Sequence, residues 1–179
     1  MLFDEKDLVE KAVKGDMASF AGLYELYFDR IYRYIIVRIW NKSEAEDLTE
    51  QVFINAIESI GSFKWKGKPF SAWLFRIAHN LLIDYHRKKN KNQEQQLEES
   101  IVASGPGPEL MAEINISMEQ LSAAILKLTD LQKQVVSLRF ASGLSITETS
   151  AVMGKNENAV KALQHSAVEA LRRYLAGNK

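Results

Sequence analysis

Apolar residues recur three and four positions apart along most of the chain, which is the repeat of an amphipathic α-helix rather than the alternation of a strand. The longest such run, FSAWLFRIAHNLLIDYHRKK, begins at Phe70. Its apolar positions form one stripe: Trp73, Leu74, Ile77, Ala78, Leu81 and Leu82. The run predicts one long helix with a buried stripe, a polar opposite face and a basic C-terminal end.

Start and stop residues divide the preceding segment into further helices. A short helix is predicted from Asp7 to Lys14, ending near Gly15, and Asp16 is the expected N-cap of the next helix. Asn41 and Lys42 are expected to end that second helix. Its predicted core face has seven members: Phe20, Leu23, Tyr24, Tyr27, Ile31, Tyr34 and Ile35.

A third helix is predicted over residues 43–60, with Ser43 and Glu46 as a capping box and Gly61 as its stop. One face of this helix is polar and mostly acidic: Glu44, Asp47, Glu50, Gln51, Asn55 and Glu58. Such a face is either solvated or a docking surface for a basic protein partner, where charge sets specificity and association rate.

The C-terminal part predicts a helix-turn-helix. After two helices, Ser145 and Glu148 form the pattern of a capping box, and Gly154 ends a short helix. A last helix over residues 157–176 has five apolar positions inside: Val160, Leu163, Ala167, Leu171 and Leu175. A short helix, a glycine turn and a longer polar-faced helix are the arrangement that places a recognition helix in a DNA groove.

Between these two helical parts, residues 93–116 are rich in Gln, Glu and Ser and contain GPGP, which predicts a flexible linker. The sequence therefore predicts an all-α protein with domains at 1–92 and 117–179. Residues 1–92 carry 15 Lys and Arg against 13 Asp and Glu, residues 93–119 none against six, and residues 120–179 eight against four. The net charge of zero thus averages two basic blocks, +2 and +4, with an acidic one of −6.

Composition excludes several classes. The chain has no Cys, so it has no disulfide framework and no thiolate metal site. Its N-terminal segment is charged from Asp4 onward, unlike a signal peptide, and no apolar run approaches the roughly 20 residues of a membrane helix. We expect a soluble cytoplasmic protein that does not insert into a membrane.

Two segments have the chemistry of nucleic-acid binding. The loop after the third helix interleaves rings, which stack on unpaired bases, with cations, which hold the backbone: Phe63, Lys64, Trp65, Lys66, Lys68 and Phe70. The alternative is that the rings cover the core edge, which we expect for Phe70 and Trp73. The last helix presents groups that pair with base edges or phosphates: Glu157, Asn158, Lys161, Ala162, His165 and Ser166. Here the alternative is a three-helix packing module that binds no DNA.

Catalysis has little support in the sequence. His79 and His86 lie seven residues apart, about two helical turns, which is too far to chelate one metal. The chain has no P-loop, no G-x-S-x-G and no H-E-x-x-H motif. We therefore expect no enzyme activity, no metal site and no cofactor.

Four segments in this order resemble the bacterial extracytoplasmic-function (ECF) sigma factors of the sigma-70 family. FAGLYELYFDRIYRYI resembles the first conserved helix pair, and AEDLTEQVFINAI resembles the segment AEDLxQEVFxxA. FSAWLFRIAHNLLIDYHRKK resembles FxxWLxRIAxNxxxDxxRxx. LTDLQKQVVSLRFASGLSITETSAVMGKNENAVKALQHSAVEALRRYL resembles the C-terminal domain, although Thr129 stands where the family usually has Pro.

The resemblance implies a promoter-specificity subunit that binds core RNA polymerase through its β′ clamp and β subunits. On this basis Asp47, Glu50 and Gln51 would meet the β′ clamp, although the family usually has Gln before Glu at the last two positions. The −10 element would be melted and captured by eight residues: Phe63, Lys64, Trp65, Arg76, Asn80, Asp84, Arg87 and Lys88. The −35 element would be read by six: Glu157, Asn158, Lys161, Ala162, His165 and Ser166.

The resemblance also implies that the linker threads a channel of the polymerase and that an anti-sigma factor is a further partner. Two other readings remain open. A stand-alone DNA-binding regulator would use only the C-terminal domain, but it would have no need of the acidic face around Asp47. A metal-binding helical domain would use His79, Asp84 and His86.

Overall fold

The computed structural model describes residues 4–95 and 115–176, and every regular element in them is helical. The all-helical prediction is confirmed. The elements, in chain order, are α1 (Glu5–Val13), α2 (Met17–Ile39), α3 (Lys42–Ser59), a 3-10 turn (Ile60–Ser62), α4 (Phe70–Gln95), α5 (Asn115–Leu126), α6 (Asp130–Val136), a π-helical turn (Ser137–Ala141), α7 (Ile146–Met153) and α8 (Glu157–Ala176).

The first three helices begin at polar N-caps. Asp16 caps α2 as predicted, because its carboxylate accepts a hydrogen bond from the Ser19 backbone N–H. The predicted capping box at Ser43 is wrong: Asn41 is the N-cap, and its side-chain oxygen accepts from the Glu44 N–H at 3.1 Å. The reason lies one residue earlier, where Trp40 adopts a left-handed conformation with φ 54°, ends α2 and leaves Asn41 extended.

Helices α1 to α4 form an N-terminal unit around an aromatic and aliphatic core. Most of the predicted face of α2 is buried, but Tyr24 is 37% exposed and packs beside Phe53 at the surface, with ring centroids 4.7 Å apart. On α4 the buried stripe is wider than predicted and includes Phe75, which is 0% exposed. The largest fully buried side chains of this unit are Tyr27, Tyr34, Phe70, Phe75, Leu23, Ile31, Ile35, Leu74, Leu82 and Val9.

Helices α5 to α8 form a C-terminal unit with a much smaller core of its own: Leu128, Val135, Val136, Val160, Ala167 and Ala170. Leu175, predicted inside, is 39% exposed because it lies in the last turn of α8. Thr129 is the N-cap of α6 and forms a capping box with Gln132. The Thr129 hydroxyl accepts a hydrogen bond from the Gln132 N–H, and the Thr129 N–H donates to the Gln132 side-chain oxygen at 3.1 Å. A proline at this position has no N–H and could not make the second of these bonds.

The two units pack against each other. Leu138, Leu144 and Val152 of the C-terminal unit belong to the same buried cluster as the core of the N-terminal unit. Of the predicted linker, residues 93–95 continue α4 and residues 115–116 begin α5. Residues 96–114 lie outside the described part of the chain. In the described part, no helix is both long and apolar enough to cross a lipid bilayer.

Candidate functional site

The predicted polymerase-binding face lies on the exposed side of α3. Asp47, Glu50 and Gln51 are all exposed, while Val52 and Phe53 on the other side of the helix are buried. Neither acidic residue forms an ion pair with any of the described residues. Both carboxylates are therefore available to a basic partner.

One apolar side chain interrupts this acidic face. Ile54 is 48% exposed and lies one turn after Glu50 on α3. Beside it, the Gln51 side-chain amide donates to the Asn55 side-chain oxygen at 2.8 Å, which holds both amides along the face. Sequence reasoning missed Ile54 because an isolated isoleucine at helical spacing is usually assigned to the core.

A cavity of about 490 Å³ opens between the loop after α3 and the start of α4. Its floor is aromatic, since Phe63 and Trp73 line it with ring centroids 5.4 Å apart. Its rim carries four cationic side chains, all exposed: Lys64, Lys66, Lys68 and Arg76. An aromatic floor with a cationic rim suits an unstacked base and its phosphates.

The predicted −10 residues divide between this cavity and a second one. Phe63, Lys64 and Arg76 line the first, whereas Asn80 and Asp84 line a groove of about 370 Å³ between α3 and α4. Its other lining residues are Asn55, Glu58, Ser59, Ile77 and Leu81.

Three other members of the predicted −10 set lie outside both cavities. Trp65 packs edge-on against Phe63, with ring centroids 5.4 Å apart, but does not line the cavity itself. Arg87 pairs with Asp84 at 3.0 Å, one turn away on α4. Lys88 is exposed, so it is open to a phosphate backbone. Lys66, Lys68 and Trp73 also line the first cavity, although the predicted −10 set did not include them. The alternation of aromatic residues and lysines in the loop sequence indicates Lys66 and Lys68.

The predicted helix-turn-helix is formed by α7 and α8. Ser145 and Glu148 make the capping box of α7, and Gly154 ends it with φ 64°, a conformation that favours glycine. Asn156 caps α8, accepting a hydrogen bond from the Ala159 N–H at 2.8 Å. Val160 is buried, so the opposite side of α8 faces outward. All six predicted readers are exposed there: Glu157, Asn158, Lys161, Ala162, His165 and Ser166.

Two of these six are already hydrogen-bonded within the protein. The Glu157 carboxylate accepts from the Thr147 hydroxyl at 2.6 Å, which connects the two helices of the motif. The Ser166 hydroxyl accepts from the Gln132 side-chain amide at 2.9 Å. Because Gln132 also belongs to the α6 capping box, the start of α6 is joined to the middle of the recognition helix.

The histidines of α4 do not form a metal site with the residues described. Nδ1 of His79 lies 3.1 Å from the Tyr34 hydroxyl and 3.4 Å from the Gln134 side-chain nitrogen. Burial, together with the Arg38 charge, lowers the pKa of His79 below its ordinary 6.5, and burial raises the pKa of Tyr34 to about 12. In residues 4–95 and 115–176, no three His, Asp or Glu side chains converge on a point that could hold a metal ion.

Comparison with known proteins agrees with this geometry. Residues 23–92 match the family described as Sigma-70 region 2, and residues 124–173 match Sigma-70 region 4. The chain is 34% identical to the ECF RNA polymerase sigma factor SigW of Bacillus subtilis, over 95% of this chain and 96% of SigW. It is 41% identical to the ECF RNA polymerase sigma factor BldN of Streptomyces coelicolor, covering 94% of this chain but only 65% of the length of BldN.

Solved structures show the same fold. A structure of CnrH in complex with the cytosolic domain of CnrY has a TM-score of 0.76 at 20% identity and covers 98% of this chain and 99% of CnrH. The sigma factor RpoE of Bartonella quintana, in complex with the anti-sigma factor NepR, has a TM-score of 0.72 at 22% identity, over 89% of this chain and 98% of that one.

The two matched regions, separated by an acidic segment, define a transcription regulator of the sigma-70 family. Within that family the chain belongs to the ECF RNA polymerase sigma factors. A stand-alone regulator built on the C-terminal unit is not favoured, because it leaves the match over residues 23–92 without a role.

Proposed function

We propose that this protein binds core RNA polymerase in the cytoplasm and directs it to promoters with specific −10 and −35 elements. The observation that carries the proposal is the presence on one chain of region 2, with its cation-rimmed aromatic cavity, and region 4, with its exposed recognition helix. The chain itself performs no catalysis, and it acts by placing the catalytic polymerase at the start site. Residues 1–92 and 117–179 are the proposed functional domains, with the segment 93–116 linking them.

The N-terminal unit has the two proposed contacts that open a promoter. Asp47, Glu50 and Gln51 on α3 bind the basic surface of the β′ clamp. Arg76, with the lysines of the loop, holds the non-template strand over the cavity, where an unstacked base lies on the aromatic floor. Melting costs a few kcal/mol per unstacked base, and capture of the base offsets that cost.

The C-terminal unit reads the −35 element as duplex. Lys161 and His165 lie four residues apart on the exposed side of α8, where both reach into one groove. Asn158 and Glu157 precede them at the N-terminal end of the helix, which is the end that contacts base edges in helix-turn-helix proteins. An anti-sigma factor that covers these surfaces is the proposed inhibitory partner.

The test is association with bacterial core RNA polymerase, followed by run-off transcription on a library of genomic fragments. We expect stable association and defined start sites, whose alignment yields the two promoter elements. Duplex DNA binding without core association would instead favour the stand-alone regulator.

Substitutions separate the proposed roles. Asp47→Ala is expected to weaken core association, with exposed Asp29→Ala as its control.

Asn80→Ala is expected to lower open-complex formation and leave core association unchanged, with exposed Asn90→Ala as its control. Equal loss of both activities in Asn80→Ala would contradict a role for the second groove in promoter melting.

A further inference from the structure

The second groove, of about 370 Å³ between α3 and α4, is lined by acidic and amide side chains beside an apolar surface. Its polar lining residues are Asn55, Glu58, Ser59, Asn80 and Asp84. Ile77 and Leu81, both half-buried, supply the apolar part of the lining. Among the described residues, no lysine or arginine lines this groove. The groove therefore offers mainly hydrogen-bond acceptors to whatever enters it.

Both carboxylates of the groove can accept further hydrogen bonds. Glu58 is exposed and forms no ion pair with any of the described residues. Asp84 pairs with Arg87 through one carboxylate oxygen at 3.0 Å, which leaves the other oxygen for a ligand. The exposed Asn80 amide can both donate and accept. The best match is a ligand that presents N–H donors to the carboxylates and an acceptor to the amide.

The first cavity has the opposite hydrogen-bonding character. The three loop lysines and Arg76 surround it, and each of these side chains is a donor only. Among the described residues, no carboxylate and no side-chain amide lines this cavity. The two sites therefore differ in the kind of ligand edge that satisfies them.

The two sites adjoin each other along α4. Arg76 and Asn80 are four residues apart on this helix, so they share one face and are separated by about 6 Å along the axis. Stacked bases of one strand are only about 3.4 Å apart. Neighbouring nucleotides can therefore occupy the two sites when their bases are unstacked from each other, as in a melted strand.

The charges near the groove determine which part of a strand enters it. The carboxylates of Glu58 and Asp84 repel phosphates, whereas Arg76 before the groove and Arg87 and Lys88 after it are exposed cations on α4. A strand that follows these cations keeps its phosphates outside the groove. A base edge, rather than the backbone, then meets the carboxylates.

Base edges differ in the groups that they present to such sites. Adenine N6 and cytosine N4 are amino donors, whereas guanine O6 and thymine O4 are acceptors at the corresponding position. Carboxylates accept from cytosine N4, Asn pairs with adenine, and Lys and Arg donate to guanine. A guanine or thymine in the groove would place a carbonyl oxygen against a carboxylate, with no hydrogen between them. The groove therefore favours an amino base, and the first cavity favours a keto base.

We propose that the groove between α3 and α4 is a second base-binding site, which selects adenine or cytosine through Glu58, Asn80 and Asp84. The neighbouring nucleotide, a guanine or thymine, occupies the first cavity. The inference rests on the proposed function, because only a protein that melts promoter DNA meets unpaired bases of this strand. It assigns to each site the class of base that the site binds.

Selection from single-stranded DNA tests this assignment. Short oligonucleotides of random sequence are bound to the full chain, alone and in complex with core polymerase, with core polymerase alone as the background. Sequencing of the bound fraction is expected to show enrichment of an amino base next to a keto base. The selected amino base is then replaced by its keto counterpart, cytosine by uracil or adenine by hypoxanthine. The affinity of the wild-type chain should fall about tenfold, the usual scale for one mismatched base contact.

Isosteric substitutions in the groove locate this effect. Glu58→Gln with Asp84→Asn keeps the size of both side chains but gives each an N–H donor, so the loss with the keto counterpart should shrink to about threefold or less. The matched control is Glu25→Gln with Asp29→Asn, at two exposed positions on α2, and it should keep the tenfold difference. Both variants lose two negative charges. Because the measurement is a ratio of affinities, a uniform gain in DNA binding cancels.

The outcomes distinguish this inference from the proposed function. Absence of enrichment for an amino base, or the same affinity ratio in the groove variant and the wild type, would overturn the second site. If the chain does not associate with core polymerase, the proposed function fails, while selection by the chain alone still decides the base class of the groove. Core association with defined start sites, but without a preference for an amino base, would preserve the function and overturn this inference.

Discussion

The two helical units differ in how much of their stabilising core they supply themselves. The N-terminal unit buries large aromatic and aliphatic side chains from four helices, including Tyr27, Tyr34 and Phe75. The C-terminal unit buries only small or medium side chains in its own core, and it contributes Leu138, Leu144 and Val152 to its neighbour. The C-terminal unit therefore depends on its neighbour for part of its apolar burial.

The largest effect is expected in the N-terminal core. Phe75→Ala removes a side chain that is 0% exposed and packs edge-on against Tyr34, with ring centroids 5.5 Å apart. Loss of its burial and the cavity left behind should lower the free energy of unfolding by about 3–5 kcal/mol. Urea titration measures this, with Phe140→Ala, at a side chain 57% exposed, as the control expected to be near neutral. Equal effects would contradict the placement of the core.

The second effect tests the dependence of the C-terminal unit on the contact. Leu144→Ala should cost about 2–5 kcal/mol, because Leu144 is fully buried between the units. Leu131→Ala, at a side chain 44% exposed, should cost little. Hydrogen exchange locates the loss, and we expect faster exchange in α7 and the π-helical turn. Faster exchange confined to α4 would mean that the C-terminal unit is stable alone.

The third effect is a pH dependence of the same contact. His79 lies among Tyr34 and Arg38 of α2 and Gln134 of α6, and its pKa is lowered by burial and by the Arg38 charge. As pH falls, this histidine therefore binds a proton in the unfolded chain before it does so in the folded chain. The contribution of His79 to the free energy of unfolding is fully present above the ordinary histidine pKa of 6.5. It is lost as pH falls from 6.5 toward the lowered pKa of the folded state.

Unfolding free energies measured at several pH values from 7.5 to 5.5 test this expectation. The decline should be smaller in His79→Gln than in the wild type. A decline that is the same in both proteins would assign the effect to other groups.

The smallest effect is expected at the recognition helix. Gln132→Ala removes the hydrogen bond to Ser166 and one half of the α6 capping box. Because this hydrogen bond is exposed to solvent, −35 duplex affinity should fall only about two- to fivefold, near the lower end for a single hydrogen bond. Fluorescence anisotropy measures this, with Ser122→Ala on α5 as the control. A larger loss would place Gln132 in direct contact with DNA.

A salt titration sharpens the same comparison. Lys161→Ala should reduce the salt dependence of −35 binding by about one unit of slope if Lys161 contacts a phosphate. Exposed Lys14→Ala on the N-terminal unit should leave that slope unchanged. An unaltered slope in Lys161→Ala would instead indicate a base contact or none.

The local features of the fold followed from residue type and spacing alone. Helical periodicity predicted the long helix beginning at Phe70, and short-range capping chemistry predicted the N-cap at Asp16 and the glycine stop at Gly154. The same spacing predicted that the reading face of α8 is exposed, because Val160 and Ala167 must point inward. These features depend on neighbours within about four residues, which a sequence displays directly.

Features that join distant segments required the tertiary structure. The sequence placed Asn80 and Arg76 in one set, but the packing of α3 against α4 divides them between two cavities. Glu148 reads in sequence only as a capping residue, yet it also bridges to Ser71 and Arg30, which lie 77 positions and more from it. Capping depends on chain neighbours, whereas these contacts between the units depend on which surfaces meet after folding, and only the three-dimensional arrangement determines that.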